Sequence, residues 1–242
     1  MNLIIDVGNT ATKLGVFIGE KLLYDEVIDH GSFIEKIRGL FGRFPNINHA
    51  IVSSVGEFDS KELAVLSILC ETHILNHSTK TPFKNSYATP QSLGVDRIAL
   101  ATAAFYHNSN GNTLTVDAGT CITYDMVNDY GEYLGGAISP GVNMRYRAMH
   151  EQTSKLPLLT KETPLDLIGN STETSMHSGV VYGVCAEIEG VIEQYKSRFV
   201  DLTVILTGGD AQFLSERLKN TIFADSKFLL RGLNYLLEYN KH

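Results

Sequence analysis

Apolar positions along this chain fall into two periods, one of strands and one of helices. Near the N-terminus they come as short runs, Leu3–Ile5, Thr12–Ile18 and Leu22–Ile28, with Gly19-Glu20-Lys21 as a turn between the last two. Residues 31–43 read as a short helix. Ala50-Ile51-Val52-Ser53-Ser54-Val55 reads as a buried strand, followed by a helical stretch around 58–71 and a short strand near His73–Leu75. This alternation predicts an α/β half with a mixed sheet. Residues 76–92, rich in Asn, Ser, Thr, Lys and Pro, are an expected loop, after which Ile98, Ala101 and Phe105 mark one side of a helix over Val95–His107.

Asn108-Ser109-Asn110-Gly111-Asn112 is the clearest linker and divides the chain into expected halves, 1–110 and 111–242. The second half repeats strand, hairpin and strand through Ile138. A long helix follows from about Thr174 to Phe199, with Met176, Val180, Val184, Ile188 and Ile192 four apart. Val204–Thr207 reads as a buried strand running into Gly208-Gly209-Asp210, and Phe228–Tyr239 as an amphipathic helix. The repetition is between halves; no 20–50-residue period suggests a solenoid or propeller.

One phrase occurs in both halves. Leu3-Ile4-Ile5-Asp6-Val7-Gly8-Asn9-Thr10 and Leu114-Thr115-Val116-Asp117-Ala118-Gly119-Thr120 each run from an apolar strand into Asp-x-Gly and a polar residue, with another apolar stretch after. A tight β-hairpin is expected at each. Glycine lets the backbone approach an anion and aim N–H groups at it. Asn and Thr add donors, and the aspartate can hold a cation through water. Asp, Gly and Asn are also ordinary turn formers; the second copy, and Lys13 inside an apolar strand, favour paired clamps on a polyphosphate. Neither GxxxxGK[ST] nor GxGxxG is present.

Composition narrows the setting. The 242 residues are 43% hydrophobic and 19% charged, as in a globular chain large enough for one large or two smaller domains. A formal charge of −7 argues against a general nucleic-acid or anionic-membrane surface, while leaving room for a locally positive ATP pocket. No signal peptide is expected and no apolar run reaches the ~18–20 residues of a membrane span. Cys70, Cys121 and Cys185 form no CxxC, which fits a reducing cytoplasm.

Gly94-Val95-Asp96-Arg97 opens the helix after the loop. Asp96 suits a helix first turn, but Arg97 opposes the helix dipole there, which points to an anionic partner that Arg grips through two hydrogen bonds. Tyr87 could share that pocket or simply pack. Gly135–Gly141 is a strand end entering a glycine-proline turn. Thr207-Gly208-Gly209-Asp210-Ala211 resembles a nucleotide-pocket turn with room for a purine or ribose. Cys70, His73 and His77 have a spacing that could hold a metal, but no fourth ligand lies nearby, so incidental polar residues are the expected reading.

Taken in order, Asp-Val-Gly-Asn-Thr, Gly-Val-Asp-Arg, Asp-Ala-Gly-Thr, Gly-Gly-Ala-Ile-Ser-Pro-Gly and Thr-Gly-Gly-Asp-Ala resemble type III pantothenate kinases, from residue 6 to 211. The resemblance implies an α/β fold of two related halves of the actin-like and sugar-kinase ATPases, each a mixed sheet with flanking helices. It implies transfer of the ATP γ-phosphate to pantothenate, the first step toward coenzyme A. Asp96 matches the catalytic aspartate; Gly94, Val95, Arg97, Tyr87 and Thr172 match the pantothenate side, with Ser171 where Asn or Asp is more usual. Asp6, Gly8, Asn9, Thr10, Lys13, Thr120, Gly208 and Gly209 match the ATP side, Asp6 holding Mg²⁺ through water. Asp117 matches a potassium or ammonium site. The resemblance also implies a homodimer whose pantothenate pocket borrows from the neighbouring subunit, with 135–141 near the interface. Two other readings are a non-catalytic regulator, which need not keep Asp96, Arg97 and both hairpins, and an ATP or polyphosphate hydrolase, which leaves Arg97 without a clear partner.

Overall fold

The computed structural model describes residues 1–54 and 59–241. Val55, at the end of the expected fourth strand, and Phe58, at the start of the expected second helix, lie outside them. The elements in chain order are β1 (Asn2–Val7), β2 (Thr12–Ile18), β3 (Lys21–Ile28), α1 (Phe33–Arg43), β4 (His49–Ser54), α2 (Ser60–Leu69), β5 (Glu71–Ile74), β6 (Lys84–Asn85) and α3 (Val95–His107). There follow β7 (Thr113–Ala118), β8 (Cys121–Val127), β9 (Glu132–Pro140), α4 (Val142–Gln152), α5 (Thr172–Lys196), β10 (Thr203–Thr207), α6 (Ala211–Ser215), β11 (Phe223–Ala224) and α7 (Phe228–Asn240).

The chain forms two compact units. The first is Met1–Ser109 with Gly131–Tyr133 and Lys227–His242; the second is Asn110–Tyr130 with Leu134–Ser226. A cut at residue 110 therefore leaves α7 on the far side of the boundary from the unit it packs in. In the first unit the sheet order is β3-β2-β1-β4-β5. In the second it is β9-β8-β7-β10-β11, the same order built from matching strands. β1 lies between antiparallel β2 and parallel β4, and β7 between antiparallel β8 and parallel β10. The two-residue β6 pairs with Glu132 and Tyr133, which belong to the first unit.

Period-two patterning puts each sheet on its core. Leu3, Ile5, Leu14, Val16, Ala50 and Val52 pack with Ile37, Leu40 and Leu66 from the helices of the first unit. In the second, Leu114, Val116 and Ala118 meet the α5 stripe of Met176, Val180, Val184, Ile188 and Ile192, all buried. Each such side chain contributes about 1.5–3 kcal/mol. α5 begins two residues before the expected Thr174 because Ser171 caps it, its hydroxyl accepting from Thr174 N while Thr174 Oγ1 accepts from Ser171 N. α4 is unannounced by the pattern: of its eleven residues only Val142 and Tyr146 are buried, so no apolar stripe marks it.

α7 seats on α3 at very close range. A Cβ on Gly232 would lie 2.0 Å from the Ala99 carbonyl oxygen, so only glycine permits the approach. Polar bonds fasten the same helix to β1 and to the β2–β3 turn: Asn2 Nδ2 donates to Asn234 Oδ1 at 2.7 Å, and Asn234 Nδ2 donates to the Gly19 carbonyl at 2.9 Å.

Candidate active site

In the first unit, Gly8 N donates to the Ala11 carbonyl at 3.1 Å and closes the β1–β2 hairpin, leaving Asn9 and Thr10 exposed at its tip. The register sets Asp6 opposite Lys13 on one side and Ser53 on the other. Lys13 Nζ stands 3.8 Å from Asp6 Oδ2. Asp6 is only 7% exposed, and its carboxyl is pushed up to about 6. Burial is the main cause, and the negative charge of Asp96 adds to it; Lys13 and a hydrogen bond from Ser53 act in the opposite direction. Two carboxylates and one lysine thus converge here.

Asp96 reaches that position through the helix start. Gly94 is the N-cap of α3 and supplies no side-chain cap. A Cβ on Gly94 would sit 2.4 Å from Asp96 Oδ1, so glycine makes room for the carboxylate to fold back, where it accepts from Arg97 N at 2.9 Å. Val95 is buried beside it. The Arg97 side chain is buried too, at 5% exposure, with its guanidinium 5.7 Å from the centre of the Tyr87 ring. Tyr87 rests on Tyr133, ring centres 6.1 Å apart, and its N–H donates to Asn85 Oδ1 at 3.0 Å. The structure therefore brings Tyr87, Arg97 and Asp96 together within one unit.

The second hairpin is tighter. Gly119 N donates to the Cys121 carbonyl at 2.9 Å, and Ala118 already pairs with Ile122. Thr123 stands opposite Asp117, where the first copy has lysine, and Thr207 lies on its other side, where the first copy has serine. Backbone crowds the turn: a Cβ on Gly141 would lie 2.3 Å from the Gly119 carbonyl oxygen and 2.5 Å from that of Thr120. Gly208 has φ +96°, and a Cβ there would come 2.4 Å from both Asp117 Oδ1 and the Ala118 carbonyl oxygen. Gly209 faces open space, and Thr120 is exposed.

Sequence reading missed two polar participants, Ser53 and Lys161. Ser53 enters only through the parallel β1–β4 register. Asp210, buried at 5%, donates its N–H to the Ala118 carbonyl at 2.9 Å and pairs its carboxylate with Lys161, from the segment between α4 and α5. No local motif announces Lys161. Thr172, the first residue of α5, is exposed and lines a cavity of about 650 Å³ with Met149, Leu156, Asn170 and Met176. It belongs to the second unit, whereas Tyr87, Asp96 and Arg97 belong to the first.

Cations fit two places by donor chemistry. Asp6, whose carboxyl burial and the Asp96 charge push up to about 6, would be relieved by Mg²⁺, which takes one or two carboxylates and keeps several waters. The space that a Cβ at 208 would fill is bordered by the Asp117 carboxylate and the Ala118 carbonyl, all-oxygen donors suited to a hard cation. Among the described residues no group of three or more His, Cys, Asp or Glu side chains is placed to hold a metal. Cys70, His73 and His77 instead bond separately: Cys70 Sγ to Thr72 Oγ1 at 3.8 Å, His73 Nε2 to Thr79 Oγ1 at 3.0 Å, and His77 Nε2 to the Leu93 carbonyl at 2.9 Å. No described helix is long and apolar enough to cross a membrane.

Known proteins share both the sequence and the fold. The family model for type III pantothenate kinase matches residues 2–194. A type III pantothenate kinase of Christiangramia forsetii is 48% identical over 241 residues, covering 100% of this chain and 99% of that protein. Among solved structures, a conserved Campylobacter jejuni protein described as a Baf family transcriptional activator superposes with a TM-score of 0.66 at 23% identity, covering 98% of each chain. A glucokinase from an Antarctic psychrotroph does so with a TM-score of 0.53 at 12% identity, again over 98% of each. The last two establish the fold alone, that of the sugar kinases and their actin-like relatives. Near-full-length identity of this order settles the rest: the protein is an enzyme that phosphorylates pantothenate with ATP, the first step of coenzyme A biosynthesis, and it belongs to the type III pantothenate kinase family.

Proposed function

We propose that Asp96 is the general base that receives the proton of the pantothenate hydroxyl, with Arg97 and Tyr87 holding the pantothenate carboxylate. The observation that carries this reading is the convergence of Asp96, Asp6 and Lys13, in which the Asp96 charge adds to burial in pushing the Asp6 carboxyl up to about 6 against the pull of Lys13. A buried guanidinium over a tyrosine face is a carboxylate receptor in the right chemistry, since Arg forms paired hydrogen bonds with such groups. Asp96 stands one residue away, so a substrate anchored by its carboxylate has a base close by. Phosphoryl transfer passes through a loose transition state in which the hydroxyl proton leaves late, so positioning matters more than basicity.

On the ATP side, Gly8, Asn9, Thr10 and Lys13 offer donors and a cation to the phosphates, Thr120 adds a hydroxyl, and Gly208-Gly209 leaves room for the adenosine. Asp6 would hold Mg²⁺ through water, and Asp117 with neighbouring carbonyls would hold potassium or ammonium. When bound, these ions supply positive charge that offsets the phosphate oxygens. Thr172 fits a contribution to pantothenate from the neighbouring subunit of a homodimer working in the cytoplasm. Asp96→Asn tests the base: it should fold, bind ATP as the wild type does, and lose pantothenate phosphorylation by about 10²–10⁴-fold. Near-normal turnover in a coupled assay would remove Asp96 from that role.

A further inference from the structure

The segment between β5 and α3 carries Tyr87 midway and delivers Gly94, Asp96 and Arg97 at its end. Its first turn is tightly built. Asn76 N donates to Thr79 Oγ1 at 3.1 Å, Thr79 N donates back to the Asn76 carbonyl at 3.1 Å, and Ser78 N donates to Asn76 Oδ1 at 2.8 Å. His73 ties Thr79 to β5. Asn240 of α7 then grips the backbone of Lys80 at both groups, accepting from its N–H at 3.1 Å and donating to its carbonyl at 2.9 Å. A side-chain amide carries both a donor and an acceptor, so it can hold both backbone groups of one residue.

A turn fixed at so many points presents His77 in one place, with Nε2 2.9 Å from the Leu93 carbonyl oxygen. That bond joins residues sixteen apart and closes the loop at its base. The peptide it holds is the one between Leu93 and Gly94. Because a peptide unit is planar, fixing the Leu93 carbonyl fixes that whole plane and the angle at which the chain enters α3. α3 has no side-chain cap of its own, so its entry is fastened at this carbonyl and not by a capping side chain on its first N–H groups.

We infer that His77 is a positioning residue for the phosphoryl acceptor: by donating from Nε2 to the Leu93 carbonyl, it sets the direction in which Asp96 and Arg97 leave the first turn of α3. This inference rests on the reading that those two residues serve pantothenate. His77 touches no reacting atom. The neutral Nε2–H tautomer and the imidazolium both donate, so the latch holds at any working pH and its loss changes rate, not pH profile.

Three variants isolate the donor. His77→Ala removes it, His77→Phe keeps a ring without it, and His77→Gln restores an N–H at similar reach. kcat/KM for pantothenate should fall by about 5- to 10-fold in the Ala and Phe variants, the size of one hydrogen bond, and stay within about 2-fold in Gln. ATP affinity measured by calorimetry and the pH profile of kcat should match the wild type in all three. Wild-type kcat/KM in Ala and Phe would overturn the inference. So would equal losses in all three variants accompanied by weakened ATP binding, the signature of a merely structural role. Asp96→Asn assayed alongside separates the two ideas: its retained turnover would reject the base while leaving the His77 comparison to stand or fall by the donor series.

Discussion

Asp6 is an acid that its own surroundings keep partly protonated near pH 6. The sign of its effect on stability follows. The carboxyl is raised from 3.8 to about 6, so the folded chain holds a proton that the unfolded chain has released between those values. Stability from this group is therefore complete below pH 4, declines as pH rises through that window, and above pH 6 the full penalty of a buried charge remains. A shift of about two pKa steps corresponds to roughly 3 kcal/mol. Without ligands, Asp6→Asn should be more stable than the wild type at pH 7.5 by up to that order, and the gap should close toward pH 4.5 in urea titrations. The same variant should lose the thermal stabilisation that ATP with Mg²⁺ gives. A variant no more stable at pH 7.5 would show that burial and Asp96 do not raise the Asp6 carboxyl. Of the residues at this scale, Lys13 and Arg97 are legible because each breaks a local rule, a lysine in an apolar strand and a cation at a helix start, and Asp6 and Asp96 because they stand in the short motifs beside them. Ser53 and Lys161 break none, and they enter the sites only through contacts distant in sequence.

Each hairpin is an element closed within a few residues, which is why the sequence phrase predicted both. Their difference also lies in register: Lys13 stands opposite Asp6 in one and Thr123 opposite Asp117 in the other, which on the proposed reading makes the first a cationic clamp and leaves the second to an added cation. Gly208→Ala is the sharpest element-scale test. Its Cβ would enter the space beside Asp117 and the Ala118 carbonyl, at a φ of +96° that alanine resists. The variant should lose about 1–3 kcal/mol of stability. It should also lose any advantage of potassium or ammonium over sodium, an advantage that the wild type should display in steady-state rates. Indifference of the wild type to the monovalent ion would take Asp117 out of this role. α4 went unread at this scale for a plain reason: with two buried residues in eleven, no apolar stripe marks it.

At the scale of the whole chain, α7 is the last helix in sequence yet belongs to the first unit. It buries Leu229, Leu230, Leu233, Leu236 and Leu237, about 1.5–3 kcal/mol each by transfer, which together are of the same order as the 5–15 kcal/mol that typically holds a domain. A chain ending at Ser226 should lose the fold of its first unit and all kinase activity, read by protease cleavage throughout residues 1–109. Protection of those residues in the truncated chain would contradict the packing. Sedimentation should show the intact protein as a dimer; a monomer at full activity would exclude a pocket shared with a neighbour through Thr172. What the sequence by itself determined was everything that closes locally: the two Asp-x-Gly hairpins, the four-residue stripe of α5, and Gly94 to Arg97 at a helix start. Only the tertiary structure decided which strands flank each aspartate, where α7 seats, and which side chains fasten the loop before α3. Those contacts join residues from sixteen positions apart, His77 and Leu93, to more than two hundred, Asn2 and Asn234, and no local period or turn preference encodes a meeting at that distance.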